Sequence, residues 1–105
     1  MSASEILKKL PAALKSEAVA GKHVTVQLNM STPAWFTIAD GVCTAHEGVA
    51  NAADVTLTAS EENLLKILAG QLSGLTAMFT GRLKVTGDLM LAKDLDGFFD
   101  PAKLV

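Results

Sequence analysis

The sequence predicts an α+β fold, a two-layer sandwich whose sheet carries helices on one face only. Three observations lead there. The apolar period is helical at the start, switches to two from Lys22 onward, and becomes helical again after Ser60. The segments of period two each have one polar face, so a second layer needs to cover only the other. Half of the 105 residues are apolar and 19% are charged, with a mean hydropathy of +0.34, so the dry side of the sheet carries much apolar material. No repeat, linker or low-complexity tract divides the chain, and residues 1–105 read as one domain.

Each element has a local reason. Ser2 and Glu5 have capping-box spacing, and Ile6, Leu7, Leu10 and Leu14 recur at helical spacing. Pro11 should kink this helix or start a second short one, with Gly21 as the stop. Val24, Val26, Leu28 and Met30 alternate with Thr25, Gln27 and Asn29 as a first strand. Ser31-Thr32-Pro33 turns the chain into a second strand, Ala34 to Ala39. Asp40-Gly41 suits a type I′ hairpin, whose two central residues both need positive φ. A third strand runs from Val42 to about Glu47, and a fourth from Asp54 to Ala59. Ser60 caps a helix bearing Leu64, Leu65, Ile67 and Leu68 and stopped by Gly70. A short helix from Leu75 to Thr80 follows, then a fifth strand from Arg82 to Thr86. Asp88 caps a last helix, Leu89 to Leu95, before a tail containing Phe98 and Phe99.

The facing of the second strand stays open at this level. A tight Asp40-Gly41 hairpin pairs Ile38 with Cys43 and puts Phe36 on the same face, leaving Trp35 with Thr37 on the other. A different loop length reverses every side chain.

Composition removes several functional classes. A net charge of −2 and a pI near 5.5 argue against a phosphate-backbone binder, so no nucleic-acid partner is expected. Apolar runs fall far short of the ~18 residues of a membrane span. The N-terminal residues do not resemble a secretory leader, and a single cysteine, Cys43, cannot form an internal disulfide; a cytoplasmic setting is expected. His23, His46 and Cys43 have no metal-ligand spacing, and no cofactor is expected. Cys43 and His46 could suggest a nucleophile and its base. Positions three apart on a strand face opposite ways, however, so Cys43 reads as a small buried apolar residue.

From Ala53 onward the motifs become specific. Ala53-Asp54-Val55-Thr56-Leu57-Thr58 precedes the Leu-rich helix. Phe79-Thr80-Gly81-Arg82-Leu83-Lys84-Val85-Thr86-Gly87 then leads into Leu91-Ala92-Lys93-Asp94-Leu95. This order resembles the sterol carrier protein 2 family, with its A-D-x-T-[IL]-T strand and F-x-G-[KR]-L-K-[IV]-x-G block. The resemblance is strong over residues 53–95, collinear over 35–48 and only positional at the N-terminus.

It implies a five-stranded mixed sheet covered on one face by helices, with an apolar tunnel between the layers for a sterol, fatty acid, acyl-CoA ester or similar lipid. It implies no catalytic centre. It turns Trp35 inward, against the tight-hairpin register. Ala102-Lys103-Leu104 would resemble a peroxisomal signal but for the Val105 that follows; a stand-alone bacterial-type member is expected.

The residues expected to touch the lipid are Trp35, Leu64, Leu68, Met78, Phe79, Leu83, Val85, Leu89, Met90, Phe98 and Phe99. Each reads singly as core; together they suit a ligand wall, because pockets are largely apolar and Met adapts its shape. Phe98 and Phe99 read either as a docked tail or as a lid over the tunnel mouth. Lys8, Lys9 and Lys15 read as a solvated helix face, with transient contact to an anionic membrane as the sharper alternative. A lipid-metabolising enzyme is a further expected partner, to which the protein would present its ligand.

Overall fold

The computed structural model describes residues 3–68 and 71–100. The chain forms α1 (Ala3–Ala13), a 3-10 turn (Ser16–Val19), β1 (Val24–Asn29), β2 (Ala34–Ala39), β3 (Val42–Glu47) and β4 (Val55–Thr58). It continues through α2 (Glu61–Leu68), α3 (Gly74–Phe79), β5 (Lys84–Gly87), α4 (Leu89–Asp94) and a 3-10 turn (Leu95–Gly97). The α+β sandwich expected from the periodicity is the fold observed.

The five strands lie in the order β3-β2-β1-β4-β5. The sheet is mixed because β1 and β4 run parallel while the other neighbours are antiparallel. Register aligns one row of side chains across it. Val26 is opposite both Phe36 and Val55, Leu28 opposite Ala34 and Leu57, and Leu57 opposite Val85. Phe36, Ile38, Val26, Leu28, Val55 and Leu57 are buried and form the core with Leu64, Ile67, Leu68, Leu91, Leu95 and Phe99.

Asp40 and Gly41 have φ of 54° and 75°, as a type I′ turn requires, and Ile38 pairs with Cys43. The tight register therefore holds. Trp35 lies on the face away from the core, stacked on His46 with ring centroids 4.3 Å apart. The inward Trp35 of the family pattern is not found here, because the two-residue turn leaves no residue by which the strand could slip.

On that same outer face Gln27 is 96% buried, being 4% exposed. Its amide donates to the carbonyls of Ala34 and Gly48 (both 3.1 Å) and its oxygen accepts from Ala50 N–H at 2.8 Å. This clamps the β3–β4 connection across the sheet. Asp54 fastens the end of the crossing, its carboxylate accepting from Thr25 N–H at 2.7 Å while its own N–H donates to the Thr25 carbonyl.

Three helix starts follow side-chain caps. The Ser60, Ser73 and Asp88 oxygens accept from the N–H groups of Asn63, Thr76 and Leu91. The N-terminal helix departs from expectation. It contains Pro11 in its last turn and ends at Ala13, well before Gly21. Leu14 then bridges to Phe99, Lys15 N–H donates to the Phe98 carbonyl and Asp100 N–H to that of Ala13. The chain leaves the helix because its backbone groups pair with the tail. The expected Ser2 cap, the Gly70 stop and the terminal Ala102–Val105 lie outside the described residues.

Candidate functional site

At the β5 edge of the sandwich the helices stand away from the sheet. The space between them is an open groove of about 70 Å³, lined by Gly74, Leu75, Met78, Leu83, Val85, Leu89, Ala92 and Lys93. Its walls follow from three periodicities. Leu75 and Met78 are three apart on α3, Leu89, Ala92 and Lys93 share one flank of α4, and Leu83 and Val85 alternate toward the helices at β5. Two small residues make the room. Gly74 and Ala92 face each other closely enough that a Cβ at Gly74 would lie 4.0 Å from the Ala92 carbonyl oxygen.

One end of the groove opens into a polar recess bounded by Ser73, Asp94 and Gly97, sharing Gly74, Leu75 and Lys93 with it. An apolar slot with a cation at its mouth can take an amphiphile, tail inward.

Of the eleven residues expected at the ligand, Met78, Leu83, Val85 and Leu89 line the groove. Leu64, Leu68 and Phe99 are wholly buried and Phe98 almost so. Phe99 sits edge-on to Phe36 with centroids 5.7 Å apart, and the backbone bonds to Ala13 and Lys15 hold the tail down. The docked tail, rather than a raised lid, is the state observed. Phe79 and Met90 point to solvent at 88% and 65% exposure, outside the groove, and Trp35 is on the opposite face of the sheet.

The sequence reading missed Gly74, Leu75, Ala92 and Lys93. Leu75 and Ala92 had a signal, each lying three residues from an expected lining residue on the same helix. Gly74 and Lys93 had none, since a gap is made by what is absent and a cation at a groove mouth looks like any surface lysine.

Nothing in this arrangement resembles a nucleophile with its base. Burial pushes the Cys43 thiol up to about 12, so it stays protonated at neutral pH. His46 is on the other face of the sheet, against Trp35. Among the described residues no group of His, Cys, Asp or Glu could hold a metal ion, and no helix is long and apolar enough to cross a membrane.

The SCP-2 sterol transfer family model matches residues 4–100. The chain belongs to that family. The mouse (Mus musculus) peroxisomal multifunctional enzyme type 2 is 33% identical over 92 residues, which are 86% of this chain but 12% of that enzyme. Palmitated SCP2L2 from Aedes aegypti, solved by NMR, superposes with a TM-score of 0.63 at 27% identity, over 92% of this chain and 93% of that one. The sec-alkylsulfatase Pisa1 from Pseudomonas sp. contains a region that superposes at 0.79 with 26% identity, covering 87% of this chain and 15% of the sulfatase. This chain thus spans a small fraction of two of these relatives and nearly the whole length of the third. As an SCP-2 domain it has a lipid-binding fold, and its groove lies between the helices and the fifth strand.

Proposed function

We propose that the protein is a lipid carrier without chemistry of its own, holding the chain of a fatty acid, acyl-CoA ester, sterol or similar long-chain lipid in the groove. The observation that carries this reading is the groove's lining, in which Lys93 is the one charged side chain among apolar walls and two glycine- or alanine-sized gaps. The driving force would be desolvation, about 0.8 kcal/mol for each methylene taken out of water. The enclosed volume of about 70 Å³ is well below the range for small-molecule sites, roughly 300–1,000 Å³, so a bound acyl chain would have to part α3 and α4 further from β5. The palmitated state of the Aedes relative supports an acyl chain as ligand.

Residues 1–105 would act as one lipid-binding domain. A cytoplasmic location would suit its single cysteine, which has no internal disulfide partner.

A second reading, presentation of the lipid to a separate metabolic enzyme, draws support from the mouse relative, where the matching stretch is a small part of a longer enzyme. Copurification with such an enzyme would favour it over a free carrier.

The direct test is native mass spectrometry of the purified protein with lipid extraction, beside displacement of a fluorescent fatty acid. Ala92→Phe, which fills the groove from α4, should weaken displacement at least tenfold with little change in melting temperature. A wild-type protein that carries no lipid and binds no fluorescent fatty acid would overturn the reading.

A further inference from the structure

Apolar side chains stand uncovered at both ends of β5. At its start is Phe79, the last residue of α3, 88% exposed where the other three phenylalanines are buried. Arg82 N–H donates to the Ala77 carbonyl at 2.8 Å, which ties the end of α3 to the start of the strand. Beyond the far end Asp88 opens α4, and Leu89 and Met90 follow at 56% and 65% exposure. Leu75, 47% exposed, is one turn before Phe79 and lines the groove together with Leu89. These four side chains expose on the order of 500 Å², as much as the largest apolar patch of a typical monomer, and such patches mark interaction sites.

The charges bordering this patch balance. Among the described residues they are Arg82, Asp88, Lys93 and Asp94, all exposed. Lys84 is not one of them, because it lies opposite Thr58 and alternates with Leu83 and Val85 onto the face of the sheet away from the groove. Two cations with two carboxylates favour no surface of a single sign, but they match a copy of themselves. Arg82 and Asp88 each stand three residues from Val85, which faces the groove. A two-fold axis at Val85 therefore exchanges the ends of β5. It brings Arg82 of one copy to Asp88 of the other, and Phe79 to Leu89 and Met90. Cation then meets carboxylate and ring meets thioether, the self-complementary contacts of an isologous interface. The Asp88 carboxylate caps α4 through one oxygen (Leu91 N–H, 3.0 Å), and the second can accept from an arginine. Two such patches face to face bury about 1,000 Å², where specific interfaces begin.

We propose that two copies of this chain associate about a two-fold axis at β5, each Phe79 packing on Leu89 and Met90 of the other copy and each Arg82 pairing with the other's Asp88. The groove opens between α3 and α4, so this contact shuts both groove mouths. On the carrier reading of the groove, on which this last step rests, lipid uptake and dimerisation compete for one surface, and bound lipid shifts the population to monomer.

Sedimentation equilibrium over a concentration series up to about 1 mM tests it. Wild type should pass from monomer to dimer along the series. Phe79→Ser should lower the association constant about tenfold or more, since it removes the aromatic anchor from both halves of the interface. Arg82→Glu should lower it about tenfold, because it sets carboxylate against carboxylate twice. Asp88→Lys should associate as poorly with itself. An equimolar mixture of Arg82→Glu with Asp88→Lys restores both ion pairs, one of them reversed, and should dimerise within about threefold of wild type. Phe79 and Arg82 are exposed, so their variants should melt with the wild type in dilute solution. Asp88→Lys gives up the α4 cap, so circular dichroism checks its fold; should it unfold, Phe79→Ser and Arg82→Glu decide.

The proposal is overturned if wild type stays monomeric at about 1 mM, if Phe79→Ser dimerises as wild type does, or if the mixed variants associate no better than each alone. A monomer whose Phe79 instead binds lipid vesicles is the first of these outcomes and assigns the patch to a membrane. Binding of a soluble fluorescent fatty acid by Phe79→Ser reads the carrier function apart from the interface. No binding there defeats the carrier reading and leaves the dimer standing, whereas fatty acid that binds without dissociating the wild-type dimer overturns the competition.

Discussion

Gly87→Ala is the substitution whose cost the backbone states most directly. Gly87 ends β5 with φ of +103°, a conformation that L residues rarely adopt. It is paired with Val55 on β4, and a Cβ placed there would lie 2.6 Å from the Asp54 carbonyl oxygen and 3.2 Å from the Val55 Cα. Both neighbours are main chain, so no flexible side chain can yield. That same carbonyl accepts from Asp88 N–H at 3.0 Å, and the Asp54 carboxylate holds Thr25, so relief would loosen the start of α4 or the β1–β4 pairing.

Backbone strain contributes about 1–2 kcal/mol. The close approach adds a comparable amount, giving a destabilisation of about 2–4 kcal/mol. For a chain of this size that lowers Tm by about 10–20 °C. Thermal unfolding followed by far-UV circular dichroism measures it. Gly97→Ala is the control, because a Cβ at Gly97 meets nothing within 4 Å and its φ is outside the positive range; it should melt within about 3 °C of wild type or slightly higher. A Gly87→Ala protein that melts with wild type would refute the argument, and with it the claim that β5 approaches β4 this closely.

Two further outcomes follow from the two faces of the sheet. Trp35 is the sole tryptophan and lies away from the groove, so saturation with a fatty acid should leave its emission unchanged; a clear shift would mean that the ligand reaches the Trp35 face. Cys43 should resist alkylation until the protein unfolds, and Cys43→Ser should keep lipid binding, since the thiol is buried and far from a base. Its pKa is 9.0 unperturbed and about 12 in the fold, so between those values the unfolded chain binds fewer protons than the folded one. Stability should fall with rising pH across that window, on the order of 1 kcal/mol per pH unit, and Cys43→Ala should lack this fall. Parallel denaturant titrations of both proteins from pH 8 upward, in steps of about one unit, check it; curves that keep a constant separation would count against the shift.

The amino-acid sequence alone was sufficient for the elements and for the family. Alternation at Val24–Asn29, the Asp40-Gly41 turn, the Ser60 and Asp88 caps and the F-x-G-[KR]-L-K-[IV]-x-G block are local signals, each set by backbone geometry within a few residues. Met78, Leu83, Val85 and Leu89, which the sequence expects at the ligand, do line the groove, because they lie on apolar flanks beside the fifth strand.

Tertiary structure decided the remainder. Periodicity reports which side of a helix is apolar, yet it cannot tell a face that meets other side chains from one that meets a gap. Leu64 and Leu68 meet the sheet and disappear into the core, while Leu75 and Leu89, no more apolar, meet a space left by Gly74 and Ala92. The early end of α1 at Ala13 depended on Phe98 and Phe99, more than eighty residues away, supplying its hydrogen-bond partners. The facing of Trp35 stood between two readings until the register of one two-residue turn chose it. Local chemistry determined what this chain forms; where the layers fail to touch, and so where a lipid would go, depended on side-chain volumes brought together from distant parts of the chain.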